Sequence, residues 1–291
     1  MKRSPGSWAA ATLAAPGTLM LMALMIVPAL FIFPAAFTDW EFGRGRPSFI
    51  GFANFAELMV DARFVAALRN TLVYACIVVP TTIALGLLLA LLIDRSGRLK
   101  GFYRATHFLP VVATLAAMAV AWDALLHPTF GLLNQVLNLF GANSRNWLRD
   151  ESLVLPTLAV IGVWHNLGFA IVMFLAGLRT IPRDLMDAAS LDGATSPLDA
   201  TRTVVLPMLG PVTLFVAVIT AKKALAVYDT VFVMTKGGPG DASEVLVHLL
   251  YIESFDRLRA GYGAAITVVY LALLLTVTFG QRALDRRIHY R

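Results

Sequence analysis

The segment from Asn70 to Ile93, NTLVYACIVVPTTIALGLLLALLI, contains no charged side chain. At about 1.5 Å per residue, its 24 residues form a helix long enough to cross roughly 30 Å of hydrocarbon. Five other long uncharged stretches lie on either side of it. We therefore predict an all-α polytopic membrane protein with six transmembrane helices, at residues 14–37, 70–93, 105–126, 153–178, 203–221 and 260–281.

The amino-acid composition indicates the same class of protein. Hydrophobic residues make up 58% of the 291 residues, charged residues only 14%, and the mean hydropathy is +0.73. Because so little charge cannot cover a soluble surface, the composition excludes a soluble enzyme, a disordered chain and a nucleic-acid-binding domain. The net charge of +6 comes from short basic clusters between apolar runs, as in membrane proteins.

The distribution of basic residues predicts the orientation in the membrane. Six spans place both termini on one side, and 13 of the 24 basic residues then lie in cytosolic segments. The short turn from Asp94 to Arg104 alone holds four, and short loops carry most of the orientation signal. We predict one transmembrane domain over residues 1–291, in the cell (inner) membrane, with both termini cytosolic.

The sequence contains no assembled catalytic motif. It lacks a G-x-x-x-x-G-K-[ST] phosphate-binding loop, and its five histidines show no H-E-x-x-H spacing. With one cysteine it also lacks the ligands of a thiolate zinc site. We therefore predict that the chain has no catalytic residues, no metal site and no cofactor of its own.

The segment 180–207, between the fourth and fifth spans, contains the most specific pattern. Thr180 can cap a short helix, Asp184 suits its positive end, and Gly193 can end it. Leucine, methionine and alanine side chains form one side of this helix and charged side chains the other. From the residues alone, the helix either docks on a partner protein or lies on the membrane surface.

A family resemblance favours docking. Asp187-Ala188-Ala189, Gly193-Ala194 and Leu206-Pro207 follow the spacing of the EAA loop, and this loop resembles that of ABC importer permeases. In that family the loop forms a coupling helix that fits a cleft on the ATPase subunit. Asp187 stands where the family usually has glutamate, and the aspartate side chain is shorter. The resemblance implies these ATPase-coupling positions: Asp187, Ala188, Ala189, Gly193, Ala194, Leu206 and Pro207.

The resemblance covers almost the whole chain and narrows to permeases of the maltose and glycerol-3-phosphate type. It implies three partners: a second permease subunit, commonly a related but distinct chain; an ATP-binding subunit dimer that holds ATP and Mg; and an extracytoplasmic solute-binding protein. The outer turn Gly237-Gly238-Pro239-Gly240 resembles the region that contacts the binding protein, with a simple flexible loop as the alternative.

Polar and aromatic residues within or beside the spans are candidates for the solute path, because polar groups are costly in a membrane. Aromatic faces beside hydrogen-bonding groups suit a sugar, although interhelical hydrogen bonding and an interfacial aromatic belt are alternatives. The candidates are Trp122, Asp123, Trp164, His165, Asn166, Lys222, Lys223, Tyr228 and Asp229.

The predicted function is that of a permease subunit of an ATP-driven importer for a sugar or sugar derivative. Lys222 and Lys223 leave two possibilities open, since they can attract an acidic group of the solute or extend to the lipid headgroups. Import of glycerol-3-phosphate or another acidic polyol derivative is therefore one alternative. A proton-coupled secondary transporter with Asp123 as the coupling group is the alternative from another class.

Overall fold

The computed structural model describes residues 6–96, 100–194 and 196–288. The α-helices, in chain order, are α1 (Gly6–Leu21), α2 (Val27–Ala35), α3 (Ala53–Val60), α4 (Ala62–Arg95), α5 (Lys100–Val112), α6 (Leu115–Leu125), α7 (Leu132–Leu139), α8 (Val154–Leu178), α9 (Arg183–Leu191), α10 (Pro197–Ala200), α11 (Leu206–Met208), α12 (Gly210–Leu225), α13 (Leu246–Tyr251) and α14 (Ala260–Ile288). π-Helical turns occupy Met22–Ile26, Thr201–Val205, Val231–Thr235 and Ile252–Asp256. The prediction of an all-α membrane protein is confirmed.

Within the described ranges, four helical segments are long and apolar enough to cross a membrane: Thr12–Ala35, Ala62–Arg95, Val154–Leu178 and Ala260–Gly280. Two bent helix pairs bring the number to six if each pair is one span. The four long segments coincide with predicted spans. The second extends about two turns before its predicted start, because charged residues at a helix end lie outside the hydrocarbon and need not end the helix.

The other two predicted spans are not continuous helices. Residues 105–126 bend by 102° between Gly101–Val112 and Leu115–Leu125, shortly after Pro110 removes a backbone donor. Residues 203–221 bend by 67° between Leu198–Met208 and Gly210–Leu225. At this bend α12 starts anew, with Pro211 in its first turn, where a missing N–H costs no hydrogen bond.

The first compact unit comprises the described residues up to Asp61 together with Leu249–Ala272. The loop between α2 and α3 is held in place by the backbone pairing of Thr38 with Phe49. Asn54 also stabilises it, because its Nδ2 donates to the Ala36 and Thr38 carbonyls, each at 2.9 Å. The segment Leu249–Ala272 contacts this loop, because the Gly261 N–H donates to the Trp40 carbonyl at 2.8 Å.

The second unit comprises Ala62–His248 together with the segment from Leu273 onward. Helices α4, α8 and α12 pack against one another and bury two hydrophobic clusters, one around Tyr74 and Leu158 and one around Phe174 and Leu209. Small residues let the helices approach closely: a Cβ on Gly86 would lie 2.7 Å from the Ala170 Cβ. This helix bundle positions the candidate site residues of α8 and α12.

Candidate functional site

Helix α8 carries one group of predicted path residues. Trp164 and His165 are half-buried, and the Trp164 ring packs edge-on against Trp122 of α6 with centroids 5.4 Å apart. Asn166 is buried and donates from Nδ2 to the Gly162 carbonyl of its own helix at 2.8 Å. The structure therefore brings Trp122 and Trp164 together, whereas Asn166 is directed to its own backbone.

The end of α12 and the following segment carry a second group. Lys222 and Lys223 occupy the last turn of α12, and the Lys223 Nζ lies 5.1 Å from the centre of the Phe169 ring on α8. Phe169 was not among the predicted path residues. The end of α12 therefore lies against α8, the helix that also carries His165.

Tyr228, another predicted path residue, stands in an aromatic cluster. Its ring stacks on Phe232 with centroids 5.2 Å apart and lies 6.2 Å from the His248 ring. His248 is buried, and it comes from the start of α13. The cluster therefore connects the segment after α12 to the segment that begins α13.

Asp123 lines a cavity of about 710 Å³. Lys236, Gly238 and Pro239 line the same cavity, together with Arg149. The predicted turn for the binding protein and the predicted path residue Asp123 therefore share one polar cavity. Charged side chains of both signs line it.

The loop between α7 and α8 lines part of this cavity and is held by several hydrogen bonds. Asn134 Oδ1 accepts from the Trp147 Nε1 and the Arg145 N–H, each at 3.0 Å. Further along, the pKa of the Asp150 carboxyl is lowered because the Ser152 hydroxyl and then the Ser152 N–H donate to it. Asp150 therefore stays ionised near neutral pH.

The turn at 237–240 is an ordered structure. Gly237 and Gly240 have positive φ values of 84° and 51°, which suit glycine. The Gly238 N–H donates to the Thr235 carbonyl at 3.0 Å, and the Ser243 hydroxyl donates to the Gly238 carbonyl at 2.6 Å. These hydrogen bonds give the turn a defined shape.

A buried charge cluster next to this turn escaped sequence reasoning. Glu244 is 0% exposed; its carboxylate lies 2.7 Å from the Arg63 Nη2 and 2.6 Å from the His248 Nδ1. Asn70 Nδ2 donates to the Asp241 and Glu244 carbonyls at 3.0 and 3.1 Å. A Cβ on Gly237 would lie 2.6 Å from a Glu244 carboxylate oxygen. Glu244 therefore joins the start of α4, the turn and the His248 aromatic cluster.

The one sequence signal for this cluster is the four-residue spacing of Glu244 and His248, which places both on one side of α13 and the turn before it. That spacing could not identify Arg63, which is 181 residues away.

The coupling segment contains helix α9, which begins after Pro182 and ends at Leu191. The predicted cap was wrong: the Thr180 hydroxyl donates to the Gly177 carbonyl at 2.8 Å and so belongs to the end of α8. The helix does end near Gly193 as predicted. Gly193 has a φ of 96°, and the Ala194 N–H donates to the Ala189 carbonyl at 2.9 Å, a Schellman ending.

Every residue of α9 is exposed or half-buried, including Leu185 at 42% and Leu191 at 88% exposure. A cavity of about 570 Å³ lies between α9 and the segment that leads to α11; its lining includes Ala188, Ala189, Gly193 and Ala194. Leu206 and Pro207 are exposed at the end of that segment. The predicted coupling positions therefore lie on one accessible loop.

Comparison with known proteins identifies the family. Residues 50–290 match the family described as "Binding-protein-dependent transport system inner membrane component". The sn-glycerol-3-phosphate transport system permease protein UgpA of Yersinia enterocolitica is 31% identical over 287 residues, which cover 95% of this chain and 96% of that protein. The sulfoquinovosyl glycerol transport system permease protein SmoG of Agrobacterium fabrum is 30% identical over 270 residues, or 92% and 87% of the two chains.

A solved structure shares the fold. A chain of a bacterial alginate ABC transporter, crystallised with an alginate pentasaccharide-bound periplasmic protein, superposes with a TM-score of 0.83. The match covers 97% of this chain and 95% of the other, at 21% identity.

Proposed function

Because the chain belongs to the binding-protein-dependent transport system inner membrane components, the permease subunits of ABC importers, we propose that it forms half of the path for a sugar or sugar-derived solute. It is a multi-pass membrane protein without catalytic activity of its own. The named solutes of UgpA and SmoG, a glycerol phosphate and a glycosyl glycerol, support a sugar or polyol derivative. The proton-coupled alternative with Asp123 is inconsistent with this family.

We propose that the solute passes the face formed by the Trp122–Trp164 pair, His165, Lys223 and Asp229. Aromatic rings pack on the apolar faces of sugars, and the polar groups can bond hydroxyls. Tyr228 and Asp123 are proposed to lie further along the same path. A second candidate solute is an acidic polyol derivative such as glycerol-3-phosphate, which the position of Lys223 favours.

The observation that carries the proposed mechanism is the exposed helix α9. An amphipathic helix whose leucines are exposed in the isolated chain has an apolar surface available for a partner. We propose that α9 and the neighbouring positions up to Pro207 dock on the ATPase subunit. Closure of the ATPase dimer would then push on this loop and switch the path from outward to inward access.

The remaining parts of the proposal concern the assembly. A second permease chain would complete the path, an ATP-binding subunit dimer would hold ATP and Mg, and the turn at 237–240 would contact the solute-binding protein. The whole chain, 1–291, would act as one permease domain with both termini in the cytosol. The hydrogen-bonded shape of the turn supports a contact surface there.

Charge reversal on α9 tests the coupling role. Asp187 is exposed, so Asp187→Arg should leave folding and membrane insertion intact. We expect solute uptake and binding-protein-stimulated ATPase activity of the assembled transporter to fall at least about tenfold, the change in rate produced by roughly 1.4 kcal/mol.

The matched control is Asp256→Arg, which reverses another exposed aspartate outside the coupling loop. Affinity purification with mass spectrometry should recover the ATPase and a second permease with the wild-type chain and the control, and less ATPase with Asp187→Arg. Normal uptake and ATPase recovery by Asp187→Arg would refute the docking role of α9.

A further inference from the structure

An apolar groove lies on the surface of the second unit, between α4, α12 and α14. It has a volume of about 510 Å³, and its lining is apolar except for the Thr276 hydroxyl. Leu72, Cys76 and Pro80 of α4 follow one another at four-residue spacing, so they form one side of the groove. All three are exposed, which means that the groove opens to the surroundings of the chain.

The groove lies at the depth of the lipid hydrocarbon. Its α4 side belongs to the uncharged stretch from Asn70 to Ile93, and its α14 side belongs to the candidate span Ala260–Gly280. Water does not fill such a groove, because an ordered water needs about two to four polar partners. In a membrane, the acyl chain of a lipid has the matching polarity and can enter the groove from the side.

Two basic side chains border the groove. Arg69 lies one turn before Leu72 on the same face of α4, directly before the uncharged stretch. Lys222 lies between the lining residues Ala221 and Leu225 in the last turn of α12. Both basic side chains are exposed. The two charges therefore stand where the apolar stretches of their helices end, the level at which basic residues meet lipid headgroups.

The start of α4 and the end of α12 lie at the same end of the helix bundle. One hydrophobic cluster joins Tyr74, near the start of α4, to Ala224, near the end of α12. The other cluster joins Ala90, near the end of α4, to Val216 in the first half of α12. Because the two helices therefore run antiparallel, the two basic side chains lie toward the same end of the groove.

The chain itself does not neutralise these two charges. Within the described residues, neither Arg69 nor Lys222 has a carboxylate within ion-pair distance. The neighbouring Lys223, by contrast, places its Nζ over the Phe169 ring of α8, 5.1 Å from the ring centre. An apolar groove with two positive charges toward one end is complementary to a molecule with an anionic head and an apolar tail.

We propose that this groove binds an anionic phospholipid, with one acyl chain in the groove and the phosphate at Arg69 and Lys222. Hydrogen bonds from arginine or lysine to a phosphate are stronger than those to a neutral acceptor. A zwitterionic lipid offers the same acyl chain, but the cation in its own headgroup repels the two basic side chains. The groove therefore selects lipids by the charge of their headgroup.

Native mass spectrometry of the purified full-length chain tests the inference. The delipidated protein is titrated with dioleoyl phosphatidylglycerol, which is anionic, and with dioleoyl phosphatidylcholine, which has the same acyl chains and no net charge. We expect the first phosphatidylglycerol to bind about 10- to 30-fold more tightly than phosphatidylcholine. Arg69→Gln and Lys222→Gln should each lower the affinity for phosphatidylglycerol about fivefold, the factor that one basic side chain contributes beside an anionic headgroup.

Two matched controls remove a charge elsewhere. Arg95→Gln changes an exposed arginine at the other end of α4, and Lys223→Gln changes the residue next to Lys222. Each control should alter the affinity less than about twofold.

A second pair of variants tests the place of the acyl chain. Cys76→Phe puts a larger side chain into the groove and should weaken the binding of both lipids at least about fivefold. Leu88→Phe makes a similar change at an exposed position of α4 outside the groove and should leave both affinities within about twofold.

Equal affinities of the wild type for the two lipids, or equal losses in Lys222→Gln and Lys223→Gln, would overturn the inference. Unchanged binding of both lipids by Cys76→Phe would overturn it as well. The complete transporter, purified with its second permease, should bind phosphatidylglycerol with the same dependence on Arg69 and Lys222. Loss of the site in that complex would show that a helix of the second permease covers the groove, and would also overturn the inference.

Discussion

Replacing Glu244 by glutamine should destabilise the chain far more than the same change at an exposed ion pair. Glu244 is 0% exposed and Arg63 is 23% exposed, with 2.7 Å between the paired atoms. Glutamine keeps the size of the side chain and can still accept a hydrogen bond, but the buried charge–charge contact with Arg63 is lost, while the half-exposed Asp241 still lies 3.3 Å from Arg63.

The magnitude follows from this geometry. Removing one partner of a buried ion pair costs about 3–5 kcal/mol. Asp241 compensates in part, and a hydrogen bond to a charged group accounts for about 1.5–3 kcal/mol, so we expect a loss of roughly 2–3 kcal/mol. At about 2–4 °C per kcal/mol, the apparent midpoint of thermal unfolding should fall by roughly 4–12 °C.

The assay measures the monodisperse fraction of the purified protein after heating, by size-exclusion chromatography. The control is Glu57→Gln, which breaks an exposed pair with Arg259 at 2.6 Å and should cost less than about 1 kcal/mol. Adding Arg63→Gln to Glu244→Gln should recover part of the stability, because the positive charge that has lost its buried carboxylate partner is also removed. Equal midpoints for Glu244→Gln and Glu57→Gln would contradict the conclusion that the buried ion pairs of Glu244 stabilise the fold.

Two further predictions concern packing and pH. Gly86→Val should lower the stability by about 1–3 kcal/mol in the same heating assay, because the valine side chain would clash with Ala170. Gly17→Val is the control: no atom lies within 4 Å of a Cβ at this position, so this change should have little effect. The pKa of Asp39 is lowered because the Ser48 N–H and then its hydroxyl donate to the carboxylate, so its stabilisation is present above the unfolded pKa of about 3.8 and is lost as pH falls through the lower folded value. Asp39→Asn should therefore be less stable than the wild type at pH 7, and the difference between the two midpoints should shrink as the pH falls below about 3.8. A difference that stays the same from pH 7 down to pH 3 and below would argue against ionisation as the cause.

The position of the bends shows one limit of sequence reasoning. Pro80 and Pro110 both lie inside apolar stretches, yet α4 runs through Pro80 while the chain breaks after Pro110. A proline removes one backbone donor in either place. Whether the helix continues depends on the neighbouring helices, and α4 packs against both α8 and α12.

The sequence alone determined the features that depend on local chemistry. Long uncharged stretches require burial in lipid, so they predict the spans, and a glycine able to adopt positive φ predicts the end of α9 at Gly193. The order of short motifs along the chain also indicated the family.

Only the tertiary structure decided the features that depend on residues far apart in the chain. It separated Lys223 from Lys222 through a contact with Phe169, and it joined Arg63 to Glu244 across 181 residues. It also placed Asp123 in one cavity with Gly238 and Pro239 of the 237–240 turn. Sequence patterns report which face of a helix a residue occupies, whereas the partner of that face depends on how the helices bend and pack.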